Sequence, residues 1–247
     1  MENVNDIYFD GHYKDIWRTL IPAELTPKEA EFMIRYFNLQ PGSKVLDIMC
    51  GYGRHAIALA KKGVEVTAVD NLPDYINEIN ETAKKENLSL KAFKADVIQY
   101  RTDEKFDLAL CMGNSLNFFP PEETQQLLSS ISSCLVKNGH LLINTWSLTE
   151  IAVKSFKEKA EMNVNGINFL AEAQYLFHPT RIETITVMTS ADGTAENKKA
   201  IDYIFSVAEI ETMLNKAGFV LKEIYSIPER KKFALGEPRA YIIAQKK

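Results

Sequence analysis

The chain has 247 residues, 46% of them hydrophobic and 25% charged, with a formal net charge of -4 at pH 7. That suits one sizeable domain with a full core, and the charge points to neither a nucleic-acid nor a membrane partner. The three cysteines, Cys50, Cys111 and Cys134, form no CxxC pair, so neither a disulfide framework nor a metal site is expected, and a reducing, cytoplasmic setting fits. No apolar run approaches the roughly 20 residues of a membrane span, and Met1 to Asp10 is too acidic and polar for a signal peptide. Arg230-Lys231-Lys232 and Lys246-Lys247 read as solvated surface, and a monomer or homodimer is expected.

Residues 1–29 read as a lid or cap segment. Its aromatics Tyr8, Phe9, Tyr13 and Trp17, with His12, fit either a packed N-terminal helix or a cover that excludes water from a site. In the second reading Tyr13 closes on a cofactor and Trp17 on a substrate. Thr26-Pro27-Lys28-Glu29 reads as a helix start with Thr26 as cap and Glu29 completing a capping box. A first strand at 44–48 runs into Gly51-Tyr52-Gly53 and an Ala-rich helix. The second strand, 64–69, ends at Asp70, and Pro73 starts a helix running to about Glu86. A third strand, 90–94, precedes Asp96. A fourth, 106–111, opens into Met112-Gly113-Asn114-Ser115. Pro120-Pro121 starts a helix that Asn138-Gly139 should stop, and a fifth strand covers 140–146. Alternating strands and helices predict a parallel sheet with helices on both faces, which binds ligands at the carboxyl ends of its strands.

The pattern changes near Ser147. Residues 169–177, 182–189 and 200–205 alternate between turns at His178-Pro179 and Asp192-Gly193, so 147–205 reads as an antiparallel β insertion roofing the site. Ser206 then caps a helix, Gly218 closes it, and strands at 219–225 and 240–244 finish the main domain, 30–146 plus 206–247.

The stretch Gly51 to Ala56 fits the relaxed fingerprint G-x-G-x-x-A, and Asp70 stands where an acid holds ribose hydroxyls, so a nicotinamide-dependent oxidoreductase is one reading. Two acids argue otherwise. Asp47 precedes the glycines, where its charge would repel a pyrophosphate, and Asp96 is suited to an adenine amine.

VLDIMCGYGRHAIALA, VTAVDN, KADV, FDLALCMGNS and SVAEIETMLNKAGF together resemble the successive motifs of class I S-adenosylmethionine-dependent methyltransferases, and CGYGRH resembles the small-molecule branch called methyltransferase domain 25. The resemblance covers about 30–146 and 206–247. It implies a Rossmann-like, mostly parallel seven-stranded sheet whose last strand is antiparallel. It implies S-adenosylmethionine over the Gly51–Gly53 turn, Asp70 with Asn71 at the ribose, Leu72 beside the adenine, Asp96 with Val97 at its edge, and the Met112 carbonyl towards the methionine amino group. Asp47 would face that ammonium group or merely brace the turn. Arg54 would reach the cofactor carboxylate or pair with a lid acid.

His55 could act as general base or be a helix N-terminal histidine bonded to the leader. Cys50 reads as a small packing residue. Asn114, Ser115 and Asn117 could orient a methyl acceptor, with Asn114 also a catalytic candidate, or could simply end a strand. The absence of an N/D-P-P-Y/F motif after the fourth strand argues against nucleic-acid bases and protein glutamine as acceptors, leaving a small molecule methylated on N or O. From the roof, Tyr175, Phe177, Arg181 and Tyr203 could reach the acceptor, although most residues on such a face should be core. A non-catalytic S-adenosylmethionine-binding protein is a further alternative.

Overall fold

The structure is a computed structural model describing residues 3–247. Its base is one sheet of β1 (Lys44–Ile48), β2 (Glu65–Asp70), β3 (Leu90–Lys94), β4 (Phe106–Cys111), β5 (Leu135–Thr145), β10 (Phe219–Ile227), β11 (Lys231–Lys232) and β12 (Ala240–Lys246). The order is β11-β10-β12-β5-β4-β1-β2-β3. Strand β12 is antiparallel to both neighbours, β10 and β5, while the pairs from β5 to β3 are all parallel. The two-residue β11 is an eighth strand added to the expected seven, hydrogen-bonded at the edge to β10.

Each strand alternates its side chains between two cores. Leu46, Ala109 and Ile143 face α5 (Pro121–Cys134) and α7 (Val207–Lys216) on one side. Val45, Leu108 and Leu142 face α2 (Leu25–Tyr36), α3 (Arg54–Ala60) and α4 (Pro73–Glu86) on the other. Helix boundaries follow local chemistry. Pro73 opens α4 and Asn87, left-handed, closes it. Ser206 and Glu209 form a capping box on α7.

Two local expectations fail. Thr26 does not cap α2, which begins at Leu25 without a side-chain cap, because Thr26 Oγ1 and Glu29 are drawn to Arg54 instead. Asn138-Gly139 does not stop a helix. α5 ends at Cys134, β5 begins at Leu135, and the dipeptide lies where the β4–β5 register shifts, a bulge in a longer strand.

A second, antiparallel sheet of β6 (Lys159–Val164), β7 (Ile167–Phe177), β8 (Thr180–Thr189) and β9 (Ala195–Tyr203) follows α6 (Thr149–Ser155). Both α6 and β6 are absent from the sequence reading. Leu148 and Phe205 bridge where the chain leaves and rejoins the base. Helix α1 (His12–Leu20) packs Ile16 with Val164 and Met188 of this sheet, so the leader lies against the roof's inner face. The leader's other ties reach down. Arg18 Nη2 donates to both Glu78 carboxylate oxygens at 2.7 Å, Tyr75 donates to the Phe9 carbonyl at 2.7 Å, and Asn71 donates to Asp6 at 2.8 Å.

Candidate active site

The carboxyl ends of β1, β2, β3, β4 and β5 open into a cavity of about 820 Å³ enclosed by the leader and the roof, at the upper end of the range for small-molecule sites. Of the expected cofactor residues, Asp47, Gly51, Arg54, Asp70, Asn71, Leu72, Asp96, Val97, Met112 and Tyr13 all line it. Gly53 does not. It shapes the turn from behind, where φ is +74° and a Cβ would stand 2.6 Å from Ile79 Cγ1. At Gly51, φ is +55° and a Cβ would meet only open space, the cradle that a ligand can occupy.

The acids divide the work. Asp70 braces the turn: its Oδ2 accepts from the Gly51 N–H at 2.8 Å and its Oδ1 from the Leu72 N–H at 3.0 Å. Burial raises its carboxyl against these amides. Asp47 is 1% exposed, and its Oδ2 is buried without a hydrogen-bond partner. Burial pushes its carboxyl up to about 7, outweighing the Arg54 guanidinium and the Ala56 amide. Cys50 lines the cavity as well as packing, and burial, then Asp47 and Asp70, push its thiol up. Asp96 Oδ1 accepts from the Ile98 N–H at 2.9 Å, which orients the acid at the cavity rim.

Arg54 and His55 are held from behind by Glu29, which no sequence signal marked as part of the site. Glu29 Oε2 accepts from Arg54 Nη1 at 2.5 Å and lies 2.9 Å from His55 Nε2, while Tyr241 donates to Oε1 at 2.6 Å. Burial alone would raise the Glu29 carboxyl. The His55 contact, the Arg54 charge and the Tyr241 bond outweigh it and bring it down to about 2. Burial, then Arg54, lower the His55 imidazole. His55 lines the cavity with its Nε2 held on Glu29, as in the reading of a histidine bonded to the leader, and that nitrogen is not free to serve as a base toward an acceptor.

At the other end, Asn114, Ser115 and Trp17 line the cavity. Trp17 stacks on Tyr13 with centroids 6.2 Å apart and lies 5.7 Å from Trp146, giving aromatic faces suited to a cation. Four expectations are corrected here. Asn117 is fully buried away from the cavity, donating to the carbonyls of Ser147 and Tyr203. Tyr175 shares the roof's inner face but lies on β7, two strands from β9 and so roughly 10 Å aside. There it packs on Phe156 and Phe177, the latter 70% exposed. Arg181 sits one register position away, on the outer face, and pairs with Glu183 at 2.9 Å. Tyr203 does not line the cavity either; its carbonyl accepts from Asn117 Nδ2 at 2.7 Å. Ser115 donates to the Met112 carbonyl at 2.9 Å, so one acceptor position of that carbonyl is already used.

The roof contributes an acid the sequence reading missed. Asp202 on β9 lines the cavity, and its Oδ1 accepts from Asn114 Nδ2 at 2.8 Å. Its one sequence signal is a lone acid in the otherwise apolar run 200–205.

Residues 45–139 match the family described as methyltransferase domain. Glycine/sarcosine N-methyltransferase of Aphanothece halophytica is 28% identical over 68% of this chain, and the match spans 65% of that relative. An S-adenosylmethionine-dependent methyltransferase of Clostridium acetobutylicum superposes with a TM-score of 0.82 at 17% identity, covering 95% of this chain and 96% of that one. The match gives residues 45–139 a methyltransferase domain, and the fold of the chain is the one seen in S-adenosylmethionine-dependent methyltransferases. A further structure with this fold, an amino pentose methyltransferase of Micromonospora echinaspora with S-adenosylmethionine bound, gives a TM-score of 0.73 at 16% identity, covering 96% of this chain and 98% of that one.

The residues lining the cavity fit S-adenosylmethionine. S-adenosylmethionine carries an ammonium group, a sulfonium and a neutral nucleoside, so a site lined by acids suits it where a pyrophosphate would not. The unpartnered Asp47 Oδ2 and the open space at the Gly51 cradle would suit an ammonium group. Among the described residues no cluster of side chains could hold a metal ion, and no helix is long and apolar enough to cross a membrane.

Proposed function

We propose that the protein is a cytoplasmic enzyme that transfers the methyl group of S-adenosylmethionine to a nitrogen or oxygen of a small molecule. The observation carrying this reading is one continuous cavity that joins the Gly51 turn and Asp47 at one end to Asn114 and Asp202 at the other. When bound, S-adenosylmethionine supplies an electrophilic methyl: the acceptor's lone pair forms the new bond as the carbon–sulfur bond breaks, and sulfur keeps that electron pair.

The chain's part is alignment and exclusion of water. In this reading Asp47 holds the ammonium group, Asp70 and Asn71 the ribose hydroxyls, Leu72, Asp96 and Val97 the adenine, and Arg54 the carboxylate. Residues 1–29 act as the lid. The N-methyltransferase relative and the amino pentose methyltransferase with this fold support a small polar acceptor.

Thermal-shift titration tests the reading. Stabilisation by S-adenosylhomocysteine is expected, and stabilisation by NADH instead would overturn it. In the same assay Asp70→Ala should weaken S-adenosylhomocysteine by about 1–3 kcal/mol, the cost of lost hydrogen bonds to a charged group. An unchanged dissociation constant would remove Asp70 from the site. Truncation of residues 1–20 should leave the base folded, because its two cores contain none of these residues, yet abolish most turnover by opening the cavity. Wild-type turnover by the truncated chain would reject the lid.

A further inference from the structure

We propose that Asp202 makes the roofed end of the cavity an amine site, binding the acceptor as an ammonium ion and taking the proton that frees its nitrogen lone pair. This rests on the methyl-transfer reading above and narrows its acceptor from nitrogen or oxygen to nitrogen.

Geometry carries the assignment. On β9, Ala200 and Asp202 point to the same face as Thr184 of β8, which is paired with Ala200, and all three line the cavity. Asp202 Oδ1 is fixed by Asn114 Nδ2. That amide cannot swing away, because Nδ2 also donates to Ser147 Oγ at 2.8 Å. Its Oδ1 accepts from Thr145 Oγ1 at 2.9 Å and from the amides of Trp146 and Ser147 at 2.9 and 3.0 Å. Asp202 Oδ2 has no protein partner, and among the described residues none of the ion pairs includes Asp202. The titratable groups that face it are Tyr8, from the leader's first turn, and Tyr13, from α1, and both phenols are held neutral by burial. A deep carboxylate whose only donor is a neutral amide lacks a cation, and a ligand ammonium supplies one. A hydroxyl ligand brings no charge.

The proton balance agrees. The N–H bond breaks with its electron pair left on nitrogen, and the proton bonds to Asp202 Oδ2. Burial pushes the Asp202 carboxyl up to about 7. A lysine-like ammonium, ordinarily near 10.4, is within about three pH units of that value. A hydroxyl near the ~15.7 of water is more than eight away.

Binding without turnover tests this. With S-adenosylhomocysteine saturating, two matched pairs serve as probes in ligand-observed NMR: benzylamine with benzyl alcohol, and cyclohexylamine with cyclohexanol. The expected result is at least tenfold preference for the amine in one pair or both, lost in Asp202→Asn with S-adenosylhomocysteine affinity unchanged. Equal binding of amine and alcohol in both pairs, or an undiminished preference in Asp202→Asn, overturns the proposal. Wild-type protein alone gives a second readout. As pH falls from 8 to 5.5, Asp202 protonates and amine affinity should drop at least tenfold; a flat profile overturns the proposal. Failure of S-adenosylhomocysteine to bind wild type is seen separately by thermal shift, and overturns the methyl-transfer reading instead.

Discussion

Glu29→Gln is expected to cost about 3–5 kcal/mol of stability at pH 7, the range for removing one partner from a buried ion pair. Glu29 is 4% exposed and is the single carboxylate shared by Arg54, His55 and Tyr241. Without its charge, Arg54 keeps only the Thr26 hydroxyl at 2.9 Å and a guanidinium is left facing the low-dielectric interior. Urea denaturation of the two proteins measures the difference, and a loss under about 1 kcal/mol would show the cluster to be solvated. The same groups set the acid limb. The Glu29 carboxyl lies below its ordinary 4.5, at about 2, so its contribution is present above 4.5 and is lost as pH falls towards 2. The His55 imidazole lies below its ordinary 6.5, so the unfolded chain takes up its proton first and stability also falls as pH drops through 6.5. Glu29→Gln should flatten the lower part of this limb. Because Glu29 lies outside the cavity lining while Arg54 lies on it, the substitution acts on the site only through the position of Arg54.

What could be read from the sequence was local. Strand β1, the glycine turn and the helix after it occupy 17 consecutive residues, 44–60, and each step has its own signal: an apolar run, two Cβ-free positions, then Ala-rich periodicity. The capping box at Ser206 is equally local. What failed depended on partners far along the chain. Glu29 reads as a capping-box acid until Tyr241, 212 positions away, is brought to it across the sheet. For the roof, alternation correctly grouped residues by face but says nothing about lateral distance. Tyr175 and Asp202 share the inner face, yet the roof residues that line the cavity are Ala200 and Asp202 of β9 and Thr184 of β8, with none from β7. Asp202 is illegible in the sequence for the converse reason. An acid on an alternating strand reads as solvent-facing until the leader packs against that face, with Asn5 bonding the main chain of Ile201 at 2.9 Å.

Asp47→Asn is expected to stabilise the protein prepared without cofactor and to cripple cofactor binding, two effects of opposite sign from one oxygen. With the Asp47 carboxyl at about 7 against an ordinary 3.8, the folded state holds a proton that the unfolded chain has released between those values. Stability therefore falls as pH rises through that window, and the full penalty is present above about 7. At 1.36 kcal/mol per pH unit the ceiling is roughly 4 kcal/mol. Loss of the Arg54 attraction offsets part of it, so a gain of about 1–3 kcal/mol at pH 8 is expected, shrinking towards pH 5. Thermal melts at the two pH values check the sign, and an Asn variant less stable at pH 8 would mean that Arg54 already neutralises the acid. Binding should move the other way. An amide offers no charge to the ammonium group of S-adenosylhomocysteine, so the dissociation constant should rise by about 2 kcal/mol, within the range for a hydrogen bond to a charged group. Calorimetry in two buffers of different ionisation enthalpy adds a further check at pH 7. Wild type should release a proton as an arriving cation drives Asp47 to its charged form, and Asp47→Asn should not. Equal proton release by the two proteins would assign that charge to another acid, for which the candidate among the cofactor-end carboxylates is the raised Asp70.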